Sequence, residues 1–444
     1  MSWEDEYKRK FITAEEAIKL IKSGDRVSIS QGGSTPRALG LALAGRKDEL
    51  RDVELIVPTP TEEFEWLNPA YSDSFKISVA MVILPSVRNL VDSRMCDLLG
   101  MPPFSPTIQE KLPQQKNDVL LTEVSPPNKN GYCSFGTARF NKKEEIRQAR
   151  IAIAEVNDRF IRTYGDNFIH ISEIDWFVPH ISSGRIPGAR GTRAGATELP
   201  LAELKPIAEY VASLIKDGDT IEIGVGGTSA PLPQLGIFDN KHDLGWHSEA
   251  TPRGIARLVQ TGVITGKHKT LHPGKIVATS VGGGNPEDLD FIHENPMFEL
   301  YSIDYVDDIR TIAAQDNMVA INSALAVDLT GQIAAETLGE RIFMSGPGGQ
   351  TPFVIGAVLS RGGRSITVLP STAADGKASR IVPKLDPGTV VTVPRVFADY
   401  IVTEYGIARL IGKSQRQKVK ELIAIAHPDF RTELRREAQR MYWP

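Results

Sequence analysis

The sequence is poor in the residues that cross-link small secreted folds or hold structural metals. Only two cysteines occur in 444 residues, Cys96 and Cys133, and neither belongs to a CxxC or Cys/His cluster. We therefore expect no disulfide framework and no structural zinc site. Aromatic residues make up 7% and charged residues 24% of the chain, which is ordinary globular composition. A chain of this length buries a large core without such cross-links.

Long apolar runs and an excess of basic charge are also lacking. No stretch approaches the roughly 18 apolar residues of a membrane-spanning helix. The first residues, MSWEDEYKRKF, have mixed charge and no apolar segment of a secretory signal. The formal net charge of -4 gives no sign of a basic face for nucleic acid. We expect a cytoplasmic protein with neither membrane nor nucleic-acid partners.

Strand-like runs alternate with amphipathic segments along the chain. Residues 53–58 and 119–124 are typical of the first kind, and 204–216 of the second. This alternation predicts α/β layers around largely parallel sheets. Residues 182–197, SSGRIPGARGTRAGAT, have no periodicity and are interpreted as an interdomain linker or a flexible loop. The predicted domains are residues 1–190 and 198–444.

An internal repeat supports two related domains. Residues 21–34 read IKSGDRVSISQGGS and residues 215–228 read IKDGDTIEIGVGGT, at an offset of 194. Each copy predicts a strand that leads into a Gly-Gly turn. Ligands of open α/β sheets bind outside the carboxyl ends of the strands. We therefore expect the functional site in a cleft between the domains.

The second Gly turn, residues 223–229, reads IGVGGTS. Glycines let backbone N–H groups approach an oxyanion or a phosphate closely. The pattern falls short of GxGxxG because Ser229 replaces the third glycine, and no acidic residue follows at ribose-binding spacing. It supports a nicotinamide-dependent dehydrogenase only weakly, and a tight structural turn is the alternative. Residues 406–414 do not form a Walker loop, because five residues instead of four separate Gly406 from Gly412. Ser414 and Gln417 instead predict a capping box at the start of a helix.

A candidate nucleophile follows about twenty residues later, in DLGWHSE, residues 243–249. His242, His247 and Glu249 match no common zinc spacing, and a solvated carboxylate is the default for Glu249. A third glycine-rich loop, MSGPGGQ at 344–350, offers several N–H groups close together. Two such loops with a carboxylate between them could hold a thioester oxygen beside a nucleophile.

Several longer motifs resemble one family over essentially the whole chain. They are VSPPNKNGYCSFG at 124–136, AINSALAVDLTGQ at 320–332, SGPGGQ at 345–350, STAADGKASRIVP at 371–383 and VTEYGIARLIGKS at 402–414. The chain resembles the acetyl-CoA hydrolase/transferase family of family I CoA transferases. The resemblance implies two related open α/β domains of CoA-transferase type with the active site between them. It also implies that Glu249 attacks an acyl-CoA, through an acyl-glutamyl anhydride and a glutamyl-CoA thioester.

The resemblance further implies which residues contact coenzyme A and which N–H groups stabilise the oxyanion. The expected CoA contacts are Gly226, Gly227, Thr228, Ser229, Ala230, Asn322, Gly346, Gly348 and Lys377. Lys377 and Arg380 are candidates for phosphate contacts, and a surface ion pair is the alternative for both. The expected oxyanion donors are Gly227, Thr228, Gly348 and Gly349. No metal and no permanently bound cofactor are expected, since CoA is substrate and product. The partners are an acyl-CoA and a carboxylic acid, in a homodimer or homotetramer.

The substrate is less constrained than the reaction. The chain departs from the family's pattern at 250–254 and at Pro352, near the expected acyl pocket, and Pro252 and Pro352 lack a backbone N–H. One hypothesis pairs Arg253 with the second carboxylate of a dicarboxylic acyl group, and a plain surface arginine is the alternative. Three other functions stay open: an acyl-CoA hydrolase with the same intermediate, the dehydrogenase, and a non-catalytic acyl-CoA sensor.

Overall fold

A computed structural model describes residues 2–30, 34–59, 62–80, 83–99, 116–182, 200–282, 286–339, 342–346 and 348–443. The chain divides into two compact units. The first comprises Met1–Gly195 and Val277–Tyr305, and the second comprises Ala196–Ile276 and Val306–Pro444. The predicted boundary, between residues 190 and 198, lies outside the described residues and stays a prediction.

The first unit is built on a seven-stranded sheet in which every neighbouring pair is parallel. In sheet order its strands are Trp176–Pro179, Ile151–Val156, Val119–Val124, Arg26–Ile29, Val53–Val57, Phe75–Ala80 and Cys96–Leu99. Val119–Val124 is buried along its whole length, as expected for a strand covered on both faces. Five further strands are Tyr132–Ser134, Tyr164–Gly165, Phe168–His170, Ile276–Val281 and Phe298–Leu300.

Helices connect the strands of this unit. They are Trp3–Arg9, Ala14–Ile18, Arg37–Ala44, Pro85–Asp92, Lys142–Gln148, Pro286–Ile292 and Ile303–Val306, with 3-10 turns at Glu65–Leu67, Pro69–Tyr71 and Ile171–Glu173. Thr13 and Glu16 form a capping box at the start of the second helix. Such reciprocal bonds satisfy backbone donors that a helix N-terminus leaves open.

The second unit contains six neighbouring strands of a mostly parallel sheet. In sheet order its strands are Gly406–Arg409, Tyr400–Thr403, Arg364–Val368, Met318–Ser323, Thr220–Ile223 and Gly245–Thr251. Only the first pair is antiparallel. The prediction of an α/β fold with largely parallel sheets is confirmed. Small ladders join Ala326–Asp328 with Ile333–Ala334 and Ile381–Val382, Thr337–Leu338 with Ile342–Phe343, and Thr372–Ala373 with Ala378–Ser379.

The helices of the second unit are Leu201–Leu214, Ile255–Gln260, Ile309–Ala313, Gln350–Leu359, Gln415–Ile425 and Pro428–Tyr442, with a 3-10 turn at Leu232–Leu235. The capping box predicted for Ser414 and Gln417 is present. The apolar core of the second unit packs the last two helices against the sheet through Leu422, Leu434 and Ala438.

The internal repeat is visible at the level of single hydrogen bonds. The carboxylate of Asp25 accepts the Lys22 N–H at 2.9 Å, and that of Asp219 accepts the Lys216 N–H at 2.6 Å. Gly24 and Gly218 have φ of +81° and +76°, a conformation that glycine adopts without a Cβ clash. Equivalent turns therefore introduce an interior strand in each unit. The Gly-Gly turn of the first copy, at residues 32 and 33, lies outside the described residues.

Candidate active site

Glu249 lies on the strand Gly245–Thr251 of the second unit. His247 and Glu249 are two residues apart, so their side chains emerge on the same face of this strand. His247 is completely buried, while Glu249 is half-buried. Ser248, on the other face, donates its hydroxyl to the Ala250 carbonyl at 2.7 Å. The strand therefore presents one carboxylate that is only partly enclosed.

The third glycine-rich loop meets this carboxylate directly. The Gly349 N–H donates to Oε2 of Glu249 at 2.9 Å, and Gly349 is the residue that precedes the helix Gln350–Leu359. Helix N-termini carry a partial positive charge that stabilises anions. A Cβ on Gly349 would lie 2.5 Å from Oε2 of Glu249 and 2.7 Å from Oδ2 of Asp307. Only glycine allows this close approach of the backbone to the carboxylate.

Two more carboxyl groups surround Glu249, and sequence reasoning missed both. Glu222 is buried in the strand Thr220–Ile223 and accepts a hydrogen bond from Nδ2 of Asn322 at 2.8 Å. Burial raises the pKa of Glu222 well above its usual range, the bond from Asn322 opposes that rise, and the charge of Glu249 adds to it. Asp307 is completely buried, and burial followed by the charges of Glu249 and Glu222 raises its pKa well above the ordinary value.

His247 supports the segment that carries Asp307. Its Nε2 is 2.8 Å from the carbonyl oxygen of Val306, the residue before Asp307. Burial lowers the pKa of His247 to about 3, so the imidazole is neutral at physiological pH and donates from Nε2. The ring also faces Phe353 at a centroid distance of 6.1 Å. His247 therefore acts as a neutral support and cannot supply positive charge to the site.

The second glycine turn is built against Ser323. The hydroxyl of Ser323 accepts the N–H of Ser229 at 2.9 Å and that of Thr228 at 3.3 Å. A Cβ on Gly226 would collide with the same hydroxyl, whereas one on Gly227 would meet nothing within 4 Å. The Ala230 N–H closes the turn by donating to the Gly226 carbonyl at 3.0 Å. The Thr228 N–H, predicted as an oxyanion donor, is thus directed at Ser323, which the sequence did not single out.

The remaining predicted CoA residues lie at three places. Asn322 is the second-last residue of the strand Met318–Ser323 and donates to Glu222, beside Glu249. Gly346 and Gly348 flank Pro347, which lies outside the described residues. Lys377 is exposed in the turn between Thr372–Ala373 and Ala378–Ser379.

Arg380, Arg253 and Pro352, which the sequence placed near the ligand, each have different neighbours. Arg380, the neighbouring phosphate candidate, donates to the Leu325 and Thr372 carbonyls at 3.1 Å each. Arg253 is exposed after the strand of Glu249, and no ion pair joins it to the described residues. Pro352 is buried in the first turn of its helix, where a backbone N–H has no intrahelical partner. Its lost donor therefore leaves the helix intact.

The described part of the first unit contains one group of side chains with the spacing of a cation site: Glu123, Glu155 and His180. Nδ1 of His180 is 2.6 Å from Oε1 of Glu155 and 3.2 Å from Oε1 of Glu123. The other oxygen of Glu155 accepts the Ala38 N–H at 2.7 Å, and Asn157 donates to Glu123 at 2.7 Å. The group is thus joined by its own hydrogen bonds.

No helix among the described residues is both long and apolar enough to cross a membrane.

Comparison with known proteins gives a consistent result across the chain. Family profiles match at residues 1–72, for the acetyl-CoA hydrolase/transferase N-terminal domain, and at 284–438, for the C-terminal domain. The 4-hydroxybutyrate coenzyme A transferase of Clostridium kluyveri is 40% identical over 448 residues, covering 100% of both chains. The crystal structure of RipA from Yersinia pestis has a TM-score of 0.87 at 32% identity, covering 100% of both chains. That of 4-hydroxybutyrate CoA-transferase from Porphyromonas gingivalis has a TM-score of 0.78 at 31% identity, covering 99% of this chain and 100% of the other.

Proposed function

Because the chain belongs to the acetyl-CoA hydrolase/transferase family, we propose that it transfers coenzyme A from an acyl-CoA to a carboxylic acid. Glu249 is the nucleophile in this proposal. The observation that carries it is the half-buried Glu249 carboxylate held by the Gly349 N–H at a helix N-terminus. A carboxylate attacks directly and needs no general base.

The reaction proceeds through two covalent intermediates. An oxygen of Glu249 attacks the thioester carbonyl, the C–S bond breaks, and the CoA thiolate leaves behind an acyl-glutamyl anhydride. The thiolate then attacks the glutamyl carbonyl and displaces the acyl group as a carboxylate, which leaves a glutamyl-CoA thioester. An incoming carboxylate repeats the two steps in reverse. None of these steps transfers a proton.

The Gly349 N–H has a role in the second step. It already donates to Oε2 of Glu249 at 2.9 Å. When the thiolate attacks the glutamyl carbon, negative charge develops on the glutamyl carbonyl oxygen. A fixed donor at that oxygen stabilises the transition state, and removing one such donor typically loses about 2.7–4 kcal/mol. The predicted donors Gly227 and Gly348 stay proposals for the oxyanion of the acyl group, and Thr228 does so only if its N–H turns away from Ser323.

A short hydroxylated acid is the first acceptor to test, because two similar proteins are named 4-hydroxybutyrate CoA transferases. We propose that the protein needs no bound cofactor and no metal. Unchanged turnover after dialysis against a chelator is the expected result. We also propose that the protein is a homodimer or homotetramer and that it is cytoplasmic. Light scattering of the purified protein tests the oligomeric state.

Acceptor-dependent turnover tests the function. Acetyl-CoA is mixed with the protein with and without 4-hydroxybutyrate, and both free CoA and the new acyl-CoA are quantified. We expect a new acyl-CoA in the presence of the acid, with the parallel double-reciprocal lines of a ping-pong mechanism. Free CoA released at the same rate without acceptor would instead indicate a hydrolase. Glu249→Gln should abolish transfer, whereas Glu209→Gln, on an exposed helix position, should not.

A further inference from the structure

Asp307 has an environment that an ionised carboxylate does not tolerate. Its side chain is completely buried, and no N–H or O–H of the described residues donates to either of its oxygens. Buried polar groups in folded proteins nearly always have a hydrogen-bond partner, and a buried charge without one is strongly unfavourable. The side chain of Asp307 does lie in hydrogen-bonding contact with that of Glu249.

Two carboxyl groups in contact can share a hydrogen bond only when one of them is protonated. Oε2 of Glu249 and Oδ2 of Asp307 both lie within 2.7 Å of the point that a Cβ on Gly349 would occupy. Like charges this close cannot both be ionised without a large penalty. One proton therefore belongs to the pair, and the surrounding donors determine which residue carries it.

The donors favour a negative charge on Glu249. Glu249 is partly exposed and accepts the Gly349 N–H at 2.9 Å at a helix N-terminus, which stabilises its anionic form. Asp307 has neither solvent nor a donor among the described residues. We propose that Asp307 carries the proton and donates it as a hydrogen bond to Glu249, as a positioning residue for the nucleophile. This inference rests on the proposed function of Glu249.

The other charged groups near Asp307 act in the same direction. Glu249 faces it from the strand Gly245–Thr251 and Glu222 from the strand Thr220–Ile223, and each of these carboxyl groups, when ionised, disfavours ionisation of Asp307. On its own segment, the next residue Asp308 pairs with the exposed Arg310 at 2.6 Å. The imidazole of His247 is neutral. No positive group among these neighbours favours ionisation of Asp307.

This arrangement divides the two oxygens of Glu249 between two tasks. Oε2 is held by Gly349 and lies on the side of Asp307, while Oε1 is the oxygen that attacks the thioester. After acylation Oε2 is the glutamyl carbonyl oxygen, and the same two donors then face it during thiolate attack. Asp307 keeps its proton throughout, so it orients and stabilises without transferring a proton.

Two substitutions test the role through turnover. Asp307→Asn retains a neutral donor and should keep most of the wild-type kcat, whereas Asp307→Ala should lose about 10- to 100-fold, as expected for one hydrogen bond to a charged group. The wild-type kcat should fall at alkaline pH as Asp307 ionises beside Glu249, and Asp307→Asn should lack this decline. Equal losses in the two variants, or an unchanged alkaline limb in Asp307→Asn, would overturn the proposal.

An infrared difference spectrum tests the protonation without any turnover. Wild type minus Asp307→Asn at neutral pH should show the C=O stretch of a protonated carboxylic acid. Asp308→Asn is the matched control, because Asp308 is ion-paired and asparagine serves equally well at its helix N-cap position. This control should show no such band. A missing band in the Asp307 spectrum refutes the protonation, while a present band in a protein that transfers no CoA refutes only the proposed function.

Discussion

Replacing Gly349 by alanine adds a single methyl group at the point where three elements of the site converge. Its Cβ would lie 2.5 Å from Oε2 of Glu249, 2.7 Å from Oδ2 of Asp307 and 3.3 Å from Cδ2 of Phe353. The backbone itself permits the change, because Gly349 has φ of -66° and ψ of -6°, which alanine adopts freely. The effect is therefore steric and falls on the carboxylates.

The magnitude follows from the hydrogen bond that must break. Oε2 of Glu249 has to move away from the methyl group, and its 2.9 Å bond to the Gly349 N–H is lost or distorted. A hydrogen bond to a charged group contributes about 1.5–3 kcal/mol, which corresponds to about a 10- to 150-fold lower rate. A misplacement of about 1 Å at a reacting group has a similar effect.

Steady-state kcat for CoA transfer, measured in wild type and Gly349→Ala, checks this prediction. Gly348→Ala is a matched control for unfolding, since a Cβ there would meet nothing within 4 Å. We expect the melting temperature of Gly348→Ala to match that of the wild type. A Gly349→Ala enzyme with a kcat within a factor of about two of wild type would refute the assigned contact, because the loss of one charge-assisted bond exceeds that.

Three further predictions concern Asn322, His247 and Arg253. Asn322→Leu removes the donor to buried Glu222 and should lower the free energy of unfolding in urea by about 1–3 kcal/mol; an unchanged midpoint would contradict it. The folded protein holds His247 neutral, with a pKa of about 3 against 6.5 for a free histidine. Between these two pH values the imidazole is therefore protonated only in the unfolded state. The wild type should therefore lose more stability than His247→Gln on acidification from pH 6.5 to 4, and equal losses would argue against the neutral imidazole. Arg253→Ala should impair transfer to dicarboxylic acceptors more than to monocarboxylic ones, and equal losses for both would end that hypothesis.

Much of the fold could be predicted because its signals are local. Alternating strand-like and amphipathic segments, and a repeat at an offset of 194, predicted parallel α/β units. The amphipathic segment at 204–216 is instead a helix that begins at Leu201 and ends at Leu214. Pro200 occupies the N-cap position, and the extended backbone of Ile215 ends the helix. The repeat predicted equivalent turns, and the paired bonds of Asp25 and Asp219 are their physical basis.

The carboxyl cluster shows what the sequence left undetermined. The motif around Glu249 and the loop of Gly349 were recognisable by composition, but their contact joins residues 100 positions apart. Glu222 gave a signal that could have been used, because a charged residue inside the buried strand Thr220–Ile223 needs a partner. Asp307 gave none. It precedes the helix N-cap Asp308 in a run that resembles any capped loop, and only the three-dimensional structure places it beside Glu249.

The most direct test of the central claim is to identify the covalent intermediate. The protein is incubated with acetyl-CoA or butyryl-CoA without acceptor, digested, and mapped by peptide mass spectrometry, with borohydride reduction in a parallel sample. We expect a CoA adduct, or a reduced side chain, on the peptide containing Glu249 and on no peptide of Glu249→Gln. An unmodified Glu249 in a preparation that transfers CoA to an added acid would contradict it.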